Sequence, residues 1–168
     1  DRTIGICDFG LSDELARPIA FSKDFSIDPL TSLIATMDHL QEGESAMLQV
    51  IFKGVLAPWA KDITYAVSDG MGGSFFSDSP EMTSCAADKV SAPLFSCVVR
   101  IAVQGVNQRN SQYLANQLIS SISTITRSNY NKLIPLSNKD YNYQTHLYNL
   151  YHRKSNRLGM LLNAKELA

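Results

Sequence analysis

The chain has 168 residues, 45% of them hydrophobic and 18% charged, with a formal net charge of −1. That is enough chain, with ordinary enough composition, to build one real core. No apolar run approaches the ~20 residues that cross a bilayer, and the three cysteines, Cys7, Cys85 and Cys97, are too few and too scattered for a disulfide framework or a C-x-x-C metal pair. Free thiols in a reducing, cytoplasmic setting are expected. No charged-then-apolar leader opens the sequence, and its first residue, Asp1, suggests a piece excised from a longer protein. The charge is uneven: residues 1–90 hold 14 acidic and 6 basic groups, residues 91–168 hold 9 basic and 2 acidic. Such polarity suits a contact between subunits or a basic surface for nucleic acid. A fold that interleaves the two halves would cancel it.

In chain order, Thr3 to Phe9 reads as a short strand and Asp8, Gly10, Ser12 and Asp13 as turn material after it. Leu15 to Phe21 is a second extended stretch that Pro18 confines to an edge or a strand end. Asp28-Pro29 opens a helix, because the carboxylate accepts from free N–H groups of the first turn and proline lacks an N–H there. Leu30, Leu33, Ile34, Met37 and Leu40 form its apolar stripe, and Gly43 supplies the stop. From Glu44 the period becomes two, with Ala46, Leu48, Val50 and Phe52 on the core side of a strand. Ala57-Pro58-Trp59-Ala60 starts a further helix in which Trp59, Ile63 and Val67 share a face and Trp59 anchors packing.

Ser68 to Ser79 is a glycine- and serine-rich loop. It has neither the lysine of G-x-x-x-x-G-K-[S/T] nor the third glycine of G-x-G-x-x-G, so a surface loop is expected rather than a phosphate site. Ser79-Pro80-Glu81 opens a helix through Lys89, with Met82, Cys85, Ala86 and Val90 inward. Leu94 to Gln104 is a central strand whose Phe95, Cys97, Val99, Ile101 and Val103 share one face. Asn107 to Arg127 is a long helix with Leu114, Leu118, Ile122 and Ile125 as its stripe, followed by a short strand over Lys132 to Leu136. Two β-α-β halves in this order predict an α+β, ferredoxin-like split β-α-β sandwich over residues 1–136, with an extra N-terminal extended segment and a C-terminal helical tail over 137–168.

The tail interleaves Tyr141, Tyr143, Tyr148 and Tyr151 with His146, His152, Arg153, Lys154 and Arg157. Aromatics beside cations can stack on bases and pair with phosphates. The competing reading is an amphipathic helix that packs Leu147, Leu150 and Tyr151 and leaves the charges in water. Arg109, Tyr148, Tyr151, His152, Arg153, Lys154 and Arg157 are the candidate contacts for nucleic acid or a neighbouring subunit. His39, His146 and His152 have no metal-binding spacing, Asp38, Glu42 and Glu44 flank a turn, and Cys97 sits on an apolar strand face as an inert thiol. No nucleophile, base and orienting group assemble, so no enzyme activity, metal or cofactor is expected of this segment.

The run FSIDPLTSLIATMDHLQEGESAMLQVIFKGV, then PWAKDI, SFFSDSPEM, KVSAPLFSCVVRIAVQG and HLYNLYHRKSNRLGMLLNAKELA, resembles the region ahead of the motor in large bacterial ATPases of the HerA/FtsK type, which serve type IV secretion and conjugative DNA transfer. In that family the NAKELA-like segment leads into the P-loop motor. The resemblance implies a non-catalytic domain that helps assemble a ring-shaped DNA translocase or couples it to partners. The partners it implies are the chain's own motor domain, neighbouring subunits, DNA and secretion-complex proteins at the cytoplasmic face of the membrane. ATP and Mg²⁺ belong to the motor. The alternative is a single-stranded nucleic-acid-binding module built on the tyrosine-rich tail.

Overall fold

The computed structural model describes residues 4–54 and 58–168. Thr3 and Ala57, which open two of the expected elements, lie outside the described residues. Among the described residues the strands are β1 (Gly5–Leu11), β2 (Ser45–Gly54), β3 (Leu94–Gln104), β4 (Leu133–Pro135) and β5 (Met160–Asn163). The helices are α1 (Leu30–Asp38), α2 (Trp59–Val67), α3 (Met82–Lys89), α4 (Gln108–Ile125), α5 (Tyr143–His152) and α6 (Ala164–Leu167). The fold is mixed α+β around an antiparallel sheet in the order β2-β3-β1-β4, with β5 beside β3. β1 and β2 run in the same direction with β3 between them.

β3 is central because its apolar residues fill both faces. Cys97, Val99, Ile101 and Val103 meet Leu33 of α1 and Leu114, Leu118 and Ile122 of α4. On the other face Ala102, with Ile6 of β1, meets Leu150 of α5, while Leu94 and Leu161 meet the α2–α3 pair through Ile63, Val67, Met82 and Ala86. Helices therefore cover both faces, with α1 and α4 sharing one. α4 matches its stripe, and the Asn107 side chain caps it by accepting from Asn110 N.

Several elements differ from the sequence reading. Leu15 to Phe21 joins no ladder; Ala16, Ile19, Ala20 and Phe21 are nonetheless buried, so an apolar stretch is core without being strand. Within it Ile19 N donates to Glu166 Oε1 and Ala20 N to the Thr126 carbonyl, and the turn ahead of it is held by Asn131. Its Oδ1 accepts from Ser12 N, Asp13 N and Lys132 N, and its Nδ2 donates to the carbonyls of Glu14 and Arg17. The Asp28 carboxylate does accept from Leu30 N, but the helix ends at Asp38, before Gly43. Of its stripe only Leu33 is buried; Ile34 is 61% exposed. Trp59 is also exposed, leaving Ile63 and Val67 to anchor α2. The tail contains a strand, β5, as well as helices. Gly159 makes that docking possible, since a Cβ there would lie 2.8 Å from the Cys97 carbonyl oxygen.

Candidate functional site

Two buried ionic junctions fix the tail to the body, one at the sheet and one at α3. The first forms because β1 and β3 place Asp8 opposite Arg100, on the face that α5 covers. Arg100 Nε donates to Asp8 Oδ1, and Arg100 Nη1 donates to Gln49 Oε1 at 3.2 Å and to the Lys154 carbonyl at 3.1 Å. Gln49 Nε2 in turn donates to the Leu150 carbonyl. His146 Nε2 and Arg157 Nε approach Asp8 Oδ2 at 3.2 and 3.4 Å, ion-pair distances without hydrogen-bond alignment. Burial alone would push the Asp8 carboxyl up, but His146 and Arg100 outweigh it and hold it below the ordinary carboxylate value. Asp8, Arg100 and His146 are all essentially inaccessible.

The second junction pins the NAKE segment. Lys89 Nζ donates to Glu166 Oε1 at 2.9 Å with both side chains fully buried. The same carboxylate accepts from Ile19 N and from Asn163 N. The Asn163 side chain caps α6, accepting from Lys165 N and Glu166 N, while its Nδ2 donates to the carbonyls of Asp88 and Lys89. Burial pulls the Lys89 ammonium down from its ordinary value, and Glu166 opposes that shift without cancelling it.

The sequence-predicted contacts divide between these junctions and the surface. Tyr148, Tyr151, His152, Arg153 and Lys154 are exposed together at the end of α5. Tyr148 is already stacked on His152, ring centroids 3.9 Å apart, with Lys154 Nζ 5.7 Å from its ring centre. Arg157 is a tether: it donates to the Ser137 carbonyl and Asn138 Oδ1 and lies 4.2 Å over the Tyr141 ring. Arg109 is exposed at the start of α4, in the opposite helical layer from α5. Within α5, Leu150 is buried as the amphipathic reading expects, but Tyr151 points to solvent.

Asp8, Lys89, Arg100, His146 and Glu166 were missed as a group. Alternation does place Asp8 and Arg100 on a common strand face, and the NAKE segment has the N-x-x-E form of a capping box. Their pairing across 92 and 77 residues is a product of the fold alone.

The glycine-rich loop does not fit a phosphate. Its N–H groups already serve an internal anion, since Asp69 Oδ1 accepts from Met71 N and Gly73 N at 2.8 Å. Cys97 is buried, and burial pushes its thiol up to about 11. Among the described residues no group of three His, Cys, Asp or Glu side chains is placed to hold a metal ion, and no helix is long and apolar enough to cross a membrane. Compared with known proteins, the chain matches no family model, no curated protein and no solved structure.

Proposed function

We propose that the chain is a non-catalytic assembly and coupling domain of a bacterial DNA-translocating ATPase of the HerA/FtsK type, mediating contacts with its motor and with neighbouring subunits. The observation that carries this reading is the Lys89–Glu166 junction. It locks onto the body the segment that, by the resemblance, leads towards a motor. A hinge there would be solvated and flexible; a buried charge pair backed by Asn163 makes the exit rigid, as force transmission requires. The strand order and antiparallel pairing also support reading the sheet as a ferredoxin-like split β-α-β plan, elaborated by β5, α5 and the α2–α3 pair.

Two experiments test the proposal. The coding sequence beyond Ala168 is expected to reach a G-x-x-x-x-G-K-[S/T] motif, and a reading frame without one contradicts the assignment. In the parent protein, Lys89→Met/Glu166→Gln, which removes the ion pair without stranding a buried charge, is expected to lower DNA-stimulated ATP turnover while the basal rate persists; equal stimulated rates would remove the coupling role.

A second reading, a single-stranded nucleic-acid-binding module, is favoured by the exposure of Tyr151, Arg153 and Lys154 at one end of α5. Fluorescence anisotropy with a single-stranded oligonucleotide at low salt tests it. Binding that weakens steeply with salt and is lost in a Tyr151→Ala/Lys154→Ala variant supports it; no binding ends it.

A further inference from the structure

β2 is the last strand of the sheet on its side, and among the described residues nothing pairs with its outer edge. Its ladder with β3 is unbroken over ten residue pairs, from Ser45↔Gln104 to Gly54↔Phe95, without a bulge. Natural edges are blunted by proline, bulges, inward charges or short length. β2 has none of these, and its one charged residue, Lys53, lies next to its end. Apolar side chains are exposed on both of its faces: Val50 at 42% and Phe52 at 60% on one, Met47 at 40% on the other. Leu48 and Val50 also line a cavity of about 150 Å³ that runs across the sheet face to Val99, Leu162 and Leu133.

The sequence of β2 says what fits there. Two copies of an edge can extend one sheet antiparallel only about a two-fold axis normal to it, which keeps each residue on its own face and pairs residues of like parity. With the axis at Gln49, Leu48 faces Val50, Ala46 faces Phe52, Met47 faces Ile51, Ser45 faces Lys53 and Gln49 faces itself. Apolar meets apolar at Leu48/Val50, Met47/Ile51 and Ala46/Phe52, where small stands opposite large; the central Gln49 is polar, its amide already held by Arg100 and the Leu150 carbonyl. The neighbouring like-parity registers fail: one sets Glu44 against Phe52, the other Met47 against Lys53. Charge agrees with the Gln49 register. Glu44 of each copy lies opposite Gly54, one residue from the other copy's Lys53. The two Glu44 residues stand about 34 Å apart, beyond screening distance.

We infer that β2 is an interface with a second copy of this chain, the two strands joining antiparallel about Gln49 into one continuous sheet. This goes beyond the ring contacts of the assembly reading, because a two-fold pairing joins two copies through the same surface whereas neighbours in a closed ring meet head to tail. Sedimentation of the 168-residue chain is expected to show a dimer. Val50→Lys, with circular dichroism confirming the fold, is expected to weaken it roughly tenfold or more, and Tyr65→Lys on α2 is expected to leave it unchanged. For register, Ser45→Cys and Lys53→Cys chains are mixed and oxidised. Disulfides are expected only between unlike chains, because like positions lie about 27 Å apart. A dimer that keeps its affinity in Val50→Lys, or that cross-links Ser45→Cys to itself, overturns the edge pairing while leaving assembly through another surface intact. A chain monomeric at about 1 mM overturns the pairing and removes self-contact from the assembly reading as well.

Discussion

Asp8 is the buried anion that Arg100 and Arg157 share, with His146 Nε2 3.2 Å from it. Asp8→Asn keeps the shape but leaves two guanidinium groups without a counter-charge, and is expected to cost about 3 kcal/mol in urea unfolding. The acid limb follows with a definite sign. The folded carboxyl is held below its ordinary value of 3.8, so its stabilisation is fully present above that value and is lost as pH falls through the lower folded one. Stability of the native chain should fall over that window, and Asp8→Asn should flatten the fall. Lys89 gives a pH dependence of the same sign in an alkaline window. Its ammonium is pulled below 10.5 by burial, so its desolvation cost is relieved as pH rises from the depressed value towards 10.5. Lys89→Met removes the partner of a buried carboxylate and is expected to destabilise by about 3 to 5 kcal/mol. Neither residue could be singled out from sequence: a lone aspartate after an apolar run and a lysine at a helix end are ordinary surface residues until their distant partners are known.

At the scale of elements, local signals worked where one face of one element carried the information. β3 was legible to the residue because its alternation runs unbroken over Leu94–Gln104, and α4 because its stripe and its Asn107 cap agree. α1 and α2 were less legible. Their apolar residues have helical spacing, but helical spacing does not say how much of the stripe a neighbour will cover, and Ile34 and Trp59 remain exposed. The Leu15–Phe21 segment misled for a related reason: its backbone is held by scattered single bonds to Asn131, Ser128, Glu166 and Thr126, which have no periodicity. Asn131→Ala removes the side-chain partner of Asp13 N and of the Glu14 and Arg17 carbonyls at a part-buried turn and is expected to cost about 1 to 2 kcal/mol, with loosened protection of residues 12–17 in hydrogen exchange. Asn142, whose side chain caps α5 by accepting from Thr145 N, is a milder case; Asn142→Ala should cost about 1 kcal/mol.

At the scale of the whole molecule, the uneven charge along the sequence has two fates. Some of it is cancelled inside, where Asp8 meets Arg100 and Arg157 and Lys89 meets Glu166. The remainder stays outside, acidic at Asp28, Asp38 and Glu42 near α1 and β2 and basic at Arg153 and Lys154 beyond α5. Both internal pairings tie the C-terminal segment to the body, one holding α5 on the sheet and one holding α6 on α3. A molecule built this way should not release its last helix before its core. Native-state hydrogen exchange on the 168-residue chain tests that claim most directly. The account predicts that the amides of Leu161, Leu162, Asn163 and Glu166 exchange only with the global opening that also exposes Val99 and Ile101 of β3. Exchange of the C-terminal amides through a separate, lower-energy opening, with β3 still protected, would contradict it.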